Sequence, residues 1–509
     1  TPTDIARYHQ ITTDSLPAVP VINSYMTIDR KRGVLDVSFV PLVYRDGKYQ
    51  KLVSFMLKVK GEAVHAYSII NKANAVSTRT SSTASTASSR YASHSKLSTG
   101  NWAKIRVSES GIYELTDAVI RKAGFTDLSK VRIYGYGGAL VPEVLTDAYL
   151  TQYDDLPEVK TYTNGSGKRL FHAQGPVSWN GKTRVRNPYS DYGYYLITQG
   201  DDTPEGYTSD EFKALCKDAG ENYNSLYEVD DYTWFSGGRR LYDATTFSKG
   251  TSKEYTLAGT GTSSTGTLTV AYSAKLSTSD NITADVTVNG TSAGTMSIKN
   301  SDSYASAADG SKTFTVKNLK AQNTVKVTFT SGSSEEMHLD YISLYSDTVK
   351  AFPDLESSTF SAAEYVYNIT NQDYHSHGAV DMVIIVPTSR ALDAQAQRLK
   401  TLHETHDGLS VRIVYADELY NEFSSGTPDA SAYKRYMKML YDRATTDSEL
   451  PKYLVLFGDG SFDNRMHTSA WSSYSPDDFL LCYESENSFS EVYCYVSDDF
   501  YCLLVGGED

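Results

Sequence analysis

Residues 379–387, AVDMVIIVP, form an unbroken apolar run, the pattern expected of a strand buried on both faces of a parallel sheet. Leu392, Ala396, Leu399 and Leu402 then recur at helical spacing up to the stop signal Gly408. Residues 411–415 read as a second strand. Tyr433, Tyr436, Met437, Leu440 and Ala444 mark one face of a second helix, capped by Asp429, and a third strand spans 453–457. Strand–helix–strand–helix–strand predicts an open α/β sheet with helices on its faces, assigned here to 351–509.

A chain of 509 residues is too long for one hydrophobic core. Upstream, β patterning dominates. Within 245–346 the runs TLTVAYSA, ADVTVNG, TFTVKNL, VKVTFT and HLDYISLY alternate apolar and polar residues between turn signals, which predicts a β-sandwich or jelly roll over 241–350. Such a domain serves either as a carbohydrate-binding module or as a spacer. Residues 101–240 form a mixed α/β region, with strands at 102–107 and 131–136 and a short helix from the cap Thr116 to Lys122, stopped by Gly124. The Tyr-rich run NPYSDYGYYLIT suits packing inside a β domain, or stacking against sugar. Residues 1–76 form an N-terminal β region. There Asp46-Gly47 makes a hairpin turn between runs containing Val34, Val37 and Phe39 on one side and Leu52, Phe55 and Leu57 on the other. The Ser/Thr/Ala-rich stretch 77–100 cannot bury enough apolar surface to offset its ordering entropy and reads as a linker.

Composition narrows the function. A net charge of −14, without a Lys/Arg cluster, excludes a broad nucleic-acid-binding surface. No apolar run approaches the roughly 20 residues of a membrane helix. Forty tyrosines against 17 phenylalanines suit β surfaces that are apolar on one side and wet on the other, as in an exported protein; the sequence begins at Thr1, as though an N-terminal segment had been removed. Cys216, Cys482, Cys494 and Cys502 show neither zinc spacing nor a disulfide framework, so no metal or other cofactor is expected.

In open α/β sheets the working loops lie beyond the carboxyl ends of the strands. The third strand runs into Gly458, Asp459, Gly460, Ser461, Phe462, Asp463, Asn464 and Arg465, where small residues permit close backbone approach and the acids and Asn offer oxygen donors. A plain turn is one reading. A hydrolase with Ser461 as nucleophile and His467 as base is a second, although the Gly-x-Ser-x-Gly elbow is missing. A calcium loop using Asp459, Ser461 and Asp463 is a third, although its closing Glu is absent. His375 with His377, and His403 with His406, lack a third metal ligand and read as surface or loop histidines.

The block YLVLFGDGSFDNR (453–465), followed by LLCYESENSFSEVYCYVSDDFY (480–501), resembles the gingipain-type cysteine peptidases of family C25, and within them the large cell-surface members that act as the type IX secretion sortase. The segments at 104–115, 131–143, 171–179 and 408–444 resemble the same subgroup. The resemblance implies a caspase-like α/β/α three-layer domain behind an N-terminal β platform. It further implies attack by a Cys thiolate on a peptide carbonyl, with a His as general acid/base, to remove C-terminal sorting signals from exported cargo. The expected partners are a peptide or protein substrate and an outer-membrane protein, at the cell surface.

The family's His-Gly and its Cys follow later strands, and the sequence stops at Asp509 before either, just as an apolar pattern resumes at Leu504 and Val505. The domain is therefore expected to be truncated, and this chain inactive. His377-Gly378 precedes the first strand, and Cys482, Cys494 and Cys502 lack the nucleophile's context. Glu491, Asp498 and Asp499 match a neighbourhood that supplies substrate-side or orienting carboxylates in the family. The rival reading is a noncatalytic surface or carbohydrate-binding protein.

Overall fold

The computed structural model describes residues 16–29, 32–39, 41–53, 90–218, 224–261, 265–276, 281–299, 304–332, 336–348 and 351–505. The chain divides into two compact units, 1–82 and 83–509. In the first, Ile22–Asp29 pairs antiparallel with Arg32–Phe39, and Leu42–Arg45 with Lys48–Lys51. Asp46 and Gly47 have φ of 55° and 72°, the two left-handed positions that a tight hairpin with this twist requires. Phe55, Leu57 and residues 77–89 of the Ser/Thr-rich stretch lie outside the described residues. Its last part, 90–99, is packed: Tyr91 and Leu97 are buried, and the Tyr91 hydroxyl donates to Asp442 at 2.7 Å.

The second unit opens with a platform of two sheets. One has the order Glu364–Ile369, Trp102–Val107, Gly193–Gln199, Val131–Tyr134, Glu158–Val159; the other Ser361–Ala362, Gly111–Leu115, Arg169–Ala173, Tyr162–Thr163. Thr116 caps the helix Asp117–Lys122 through Val119 N–H, as its sequence predicts. The α/β domain drawn from 351 begins too early in one respect: Glu364–Ile369 pairs with Trp102–Val107 and so belongs to the platform. Its mixed sequence, EYVYNI, carries no signal of where its partner lies.

Between the platform's strands sits the expected sandwich. One sheet is Asn224–Glu228, Met337–Ser346, Gly266–Ala274, Ala308–Val316; the other is Ser252–Ala258, Gln322–Ser331, Asn281–Val288, Thr291–Lys299. Alternate residues such as Val286, Val325, Val327, Leu268 and Ile342 fill one core between the sheets. The sandwich starts at Asn224 rather than 241, because Asn224–Glu228 joins its edge.

The C-terminal domain is built on β1 (Met382–Val386), α1 (Asp393–His406), β2 (Val411–Tyr415), α2 (Ala416–Phe423), α3 (Ser431–Arg443) and β3 (Tyr453–Leu456). All three strands are parallel, with β1 central. Every residue of β1 is buried, as the apolar run requires. Met382, Ile384 and Val386 pack with Ala396 and Leu399 of α1 on one face. Val383 and Ile385 pack with α2 and α3 on the other. β3 is an edge strand, with Tyr453 51% exposed.

The α2–α3 connection docks this domain on the platform. Ser425 Oγ accepts Tyr136 N–H at 2.9 Å and Gly137 N–H at 3.2 Å and donates to Tyr194 O. Thr427 Oγ1 donates to Gly137 O, and Asp429 accepts from Val141 N–H and Ser431 N–H. A Cβ at Gly135 would stand 2.2 Å from Ser425 Oγ, and its φ is +118°, so glycine is required there.

Candidate functional site

The loop leaving β3 is held close to its neighbours. A Cβ at Gly458 would meet Pro387 at 2.7 Å, and one at Gly460 would meet the Cys482 sulfur at 2.2 Å. These glycines therefore serve strand packing. Gly460–Ser461 forms a short parallel pair with Leu480–Leu481, and Asp459 O accepts Leu480 N–H.

Ser461, Asp463 and Asn464 brace the loop. Ser461 is buried, and its Oγ accepts Asp463 N–H at 3.0 Å; Asp463 Oδ2 accepts Thr468 N–H at 2.6 Å. Asn464 exchanges two hydrogen bonds with the backbone of Cys482. The nucleophile reading of Ser461 has no support in this geometry, because His467 Nε2 is bonded to Asp191 at 2.6 Å. Arg465 donates to Asp191 at 2.8 Å and Asp230 at 2.7 Å. Burial opposes ionisation of Asp191, but His467 and Arg465 hold it well below the usual carboxylate range.

Asp498 and Asp499 sit where the chain turns into the 3-10 helix Asp499–Cys502. Phe500 and Tyr501 anchor that turn: Phe500 stacks on Tyr483 at 4.0 Å, and the Tyr501 hydroxyl donates to Leu481 O at 2.6 Å. With its aromatic neighbours buried, the acid pair is left exposed, and among the described residues neither acid makes an ion pair. Burial pushes the Cys482 thiol up to about 12, with the charges of Glu484, Asp498 and Asp459 adding to it. Asp459, at the end of β3, and Asp498 thus gather about Cys482. Glu491 does not join them; it is exposed, with its N–H on Tyr304 O beside the sandwich. The run 492–496 forms a turn with a single bridge, Glu484 to Val496.

Beside the strand ends, a cavity of about 280 Å³ is lined by Arg106, Tyr192 and Tyr194 of the platform and by Thr388, Tyr420 and Asp477 of the C-terminal domain. Lys104 is buried nearby with its ammonium 4.5 Å from the Tyr194 ring centre, and burial lowers it to about 8. A second cavity, about 340 Å³, is crowded with arginines. There Arg184 and Arg186 meet Glu228, Arg240 meets Asp309, and Arg465 meets Asp230, so its charges are already paired.

His375 is not a surface histidine. It is fully buried, with Nδ1 2.6 Å from Glu422 and Nε2 3.4 Å from Asp154. Burial disfavours its charge, yet hydrogen bonds to Asp154 and Glu422 raise it to about 9. His377 bonds Tyr436 instead, and burial lowers it to about 4. His403 and His406 lie near the surface beside Asp407. Among the described residues no three His, Cys, Asp or Glu side chains converge as a metal cluster. Nor is any described helix long and apolar enough to cross a membrane. Lys104 and Glu484 escaped the sequence reading. For Glu484 the available signal was its two-residue offset from Cys482 in an extended run.

Residues 375–509 match the family model of peptidase family C25. The chain is similar to dimeric latent PorU from Porphyromonas gingivalis, with 25% identity and a TM-score of 0.68 over 83% of this chain and 48% of that one. The chain therefore spans about half the length of that relative. Family 35 carbohydrate-binding modules from an environmental isolate and from Cellvibrio japonicus also match, at 18% and 20% identity. Each covers 26% of this chain, and 93% and 95% of the modules, with a TM-score of 0.18, which bears no functional argument. No curated protein matches the chain.

Proposed function

We propose, from the match of residues 375–509 to the family model of peptidase family C25, that this chain supplies the platform and the acid-bearing side of a cell-surface cysteine endopeptidase of the sortase type. Its substrates are the C-terminal sorting signals of exported proteins, and an outer-membrane protein is its partner. The observation that carries the reading is the pair of exposed acids, Asp498 and Asp499, on a turn anchored by Phe500 and Tyr501 at the carboxyl end of the sheet. A carboxylate there orients a catalytic imidazole or meets a basic group of the substrate. The adjoining cavity, with platform residues on one wall and Thr388 on the other, suits a peptide side chain. The three-layer domain is read as caspase-like on the same grounds.

None of the cysteines in the segment takes the nucleophile's role in this reading. A thiol raised to about 12 is protonated at neutral pH, and no histidine contacts Cys482 among the described residues. In the natural protein assayed on peptides, Asp498→Asn or Asp499→Asn is expected to lower kcat/KM tenfold or more, about 1.4 kcal/mol of transition-state stabilisation, with thermal stability nearly unchanged. Glu491→Gln, which stands apart, is expected to cleave normally. Normal cleavage by both Asp variants, or loss only in proportion to folded protein, would make these acids structural.

The domain order we propose is an N-terminal β region, a linker, the platform with its sandwich, and the peptidase segment. Composition at 77–89 and the division between Ser82 and Thr83 support this order, and the first cut of limited proteolysis is expected there. An initial cut within 379–457 instead would overturn this order.

A further inference from the structure

Clustered aromatic side chains left open to solvent mark a surface that meets something else. Four such rings, Tyr232, Phe462, Trp471 and Tyr474, line one open cavity of about 570 Å³. None of the four is buried, and Tyr474 is 55% exposed.

The rings are held in place. Trp471 stands at 84° to Phe462 with ring centres 6.1 Å apart, so the two make adjoining walls. Phe479, which does not line the cavity, meets Trp471 and Tyr474 edge to face at 5.6 and 6.0 Å. Trp471 N–H on Thr468 O and Tyr474 N–H on Trp471 O tie the turn that carries both. Tyr232, in the connection after the sandwich strand Asn224–Glu228, stacks on His338 at 3.7 Å, and its hydroxyl donates to Glu336. Burial lowers His338 below its ordinary value, so the ring behind Tyr232 is uncharged at neutral pH.

The charge of the cavity selects its ligand. Asp231 is the one charged residue among the described residues that line it. Its Oδ1 accepts Ala244 N–H at 2.6 Å, and among the described residues it forms no ion pair. Negative ring faces and one carboxylate attract a cation and disfavour an anion. A primary ammonium or a guanidinium brings several N–H donors, and a single carboxylate does not replace the water they lose. A quaternary ammonium has no donor to satisfy: its methyl groups pack on the rings while its charge meets their faces and the acid.

We propose that Tyr232, Phe462, Trp471 and Tyr474, with Asp231, form a cage that binds a quaternary ammonium group of the kind carried by choline. Its occupancy is independent of peptide cleavage.

Calorimetric titration of the whole chain with choline chloride and with tetramethylammonium chloride is expected to give one site per chain, with a Kd of about 1 mM or tighter. The uncharged carbon isostere of choline, dimethylbutanol, is expected to bind about tenfold more weakly or worse. Trp471→Ala and Asp231→Asn should each weaken choline about tenfold or more, with Trp471→Phe in between. Neither side chain is buried, so melting temperatures should stay near that of the wild type. Should a variant fail to fold, the isostere comparison in the wild type still decides whether charge is required. No binding of either ammonium salt by the wild type overturns the cage. So does equal binding of the isostere, which would mark a merely apolar pocket, or full binding by both Trp471→Ala and Asp231→Asn. Glucose or lysine methyl ester bound more tightly than choline would overturn the assignment to a quaternary ammonium. Phosphatidylcholine vesicles separate the sources of the group. Cosedimentation released by free choline assigns it to a lipid headgroup, choline binding without cosedimentation assigns it to a soluble ligand, and either result upholds the cage.

Discussion

Replacing His375 with Ala is expected to cost about 3–5 kcal/mol of stability, because it strips the cationic partner from a buried carboxylate. Glu422 is fully buried and keeps only its hydrogen bonds from Gln372, Tyr374 N–H and residue 375 N–H. The pH dependence carries an independent signature. His375 binds its proton more tightly folded, at about 9, than at its ordinary value of 6.5. Its contribution is therefore complete below pH 6.5 and is lost as pH rises through about 9, amounting to about 3 kcal/mol. Denaturant unfolding of wild type and His375→Ala at pH 6 and pH 9 checks both claims. The gap between them should narrow at the higher pH. An equal gap at both values would mean that the ring is neutral in the folded protein.

Arg465→Met is expected to destabilise the second unit by about 3–5 kcal/mol. The side chain is buried, and its two terminal nitrogens go to different acids, Asp191 on the platform and Asp230 in the connection that follows the sandwich strand Asn224–Glu228. Met fills the volume but leaves both carboxylates short of a partner, with Arg186 and His467 as the remaining neighbours. Lys is no substitute, since one ammonium on a flexible stem lacks the planar fork that spans both acids. Arg465→Lys should fall between wild type and Arg465→Met. Chemical denaturation measures the loss, and wild-type stability in the Met variant would show that Arg186 alone satisfies both acids.

The elements with strong periodicity were legible. The buried strand β1, the alternating strands of the sandwich, the Asp46-Gly47 turn and the Thr116 cap each follow from short-range chemistry within one segment. α2 was missed because Ala416–Phe423 begins directly after β2 with no intervening turn signal, although Leu419, Tyr420 and Phe423 carry its buried face. The candidate site was harder to read. Asp498 and Asp499 fall at the sheet end only because Phe500 and Tyr501 find pockets made by residues far away in sequence. Ser461, Asp463 and Asn464 looked like ligand donors and brace a loop instead, and which of the two a polar loop does depends on partners such as Thr468 and Cys482. The motifs YGYGG and EFSSGTPDA, which suggested a family, meet each other in the structure: Ser425 and Thr427 bond the backbone of Tyr136 and Gly137. Their unusual composition reflects domain docking.

The sandwich is inserted within the platform, between Gly193–Gln199 and Ser361–Ala362, and this fixes an order of events during synthesis. Trp102–Val107 leaves the ribosome early and finds Gly193–Gln199 on one side, but its other edge is open until Glu364–Ile369 emerges. In that interval the sandwich strands, from Asn224 to Ser346, are all made. The nascent chain must therefore complete an inserted domain while an unpaired strand edge waits, a slow non-local closure of the kind that exposes intermediates to aggregation. A sandwich that folds on its own brings its two ends together and shortens the effective loop that the platform has to close. Substitutions in the sandwich core should then reduce the yield of correctly closed platform even where they leave every platform contact intact.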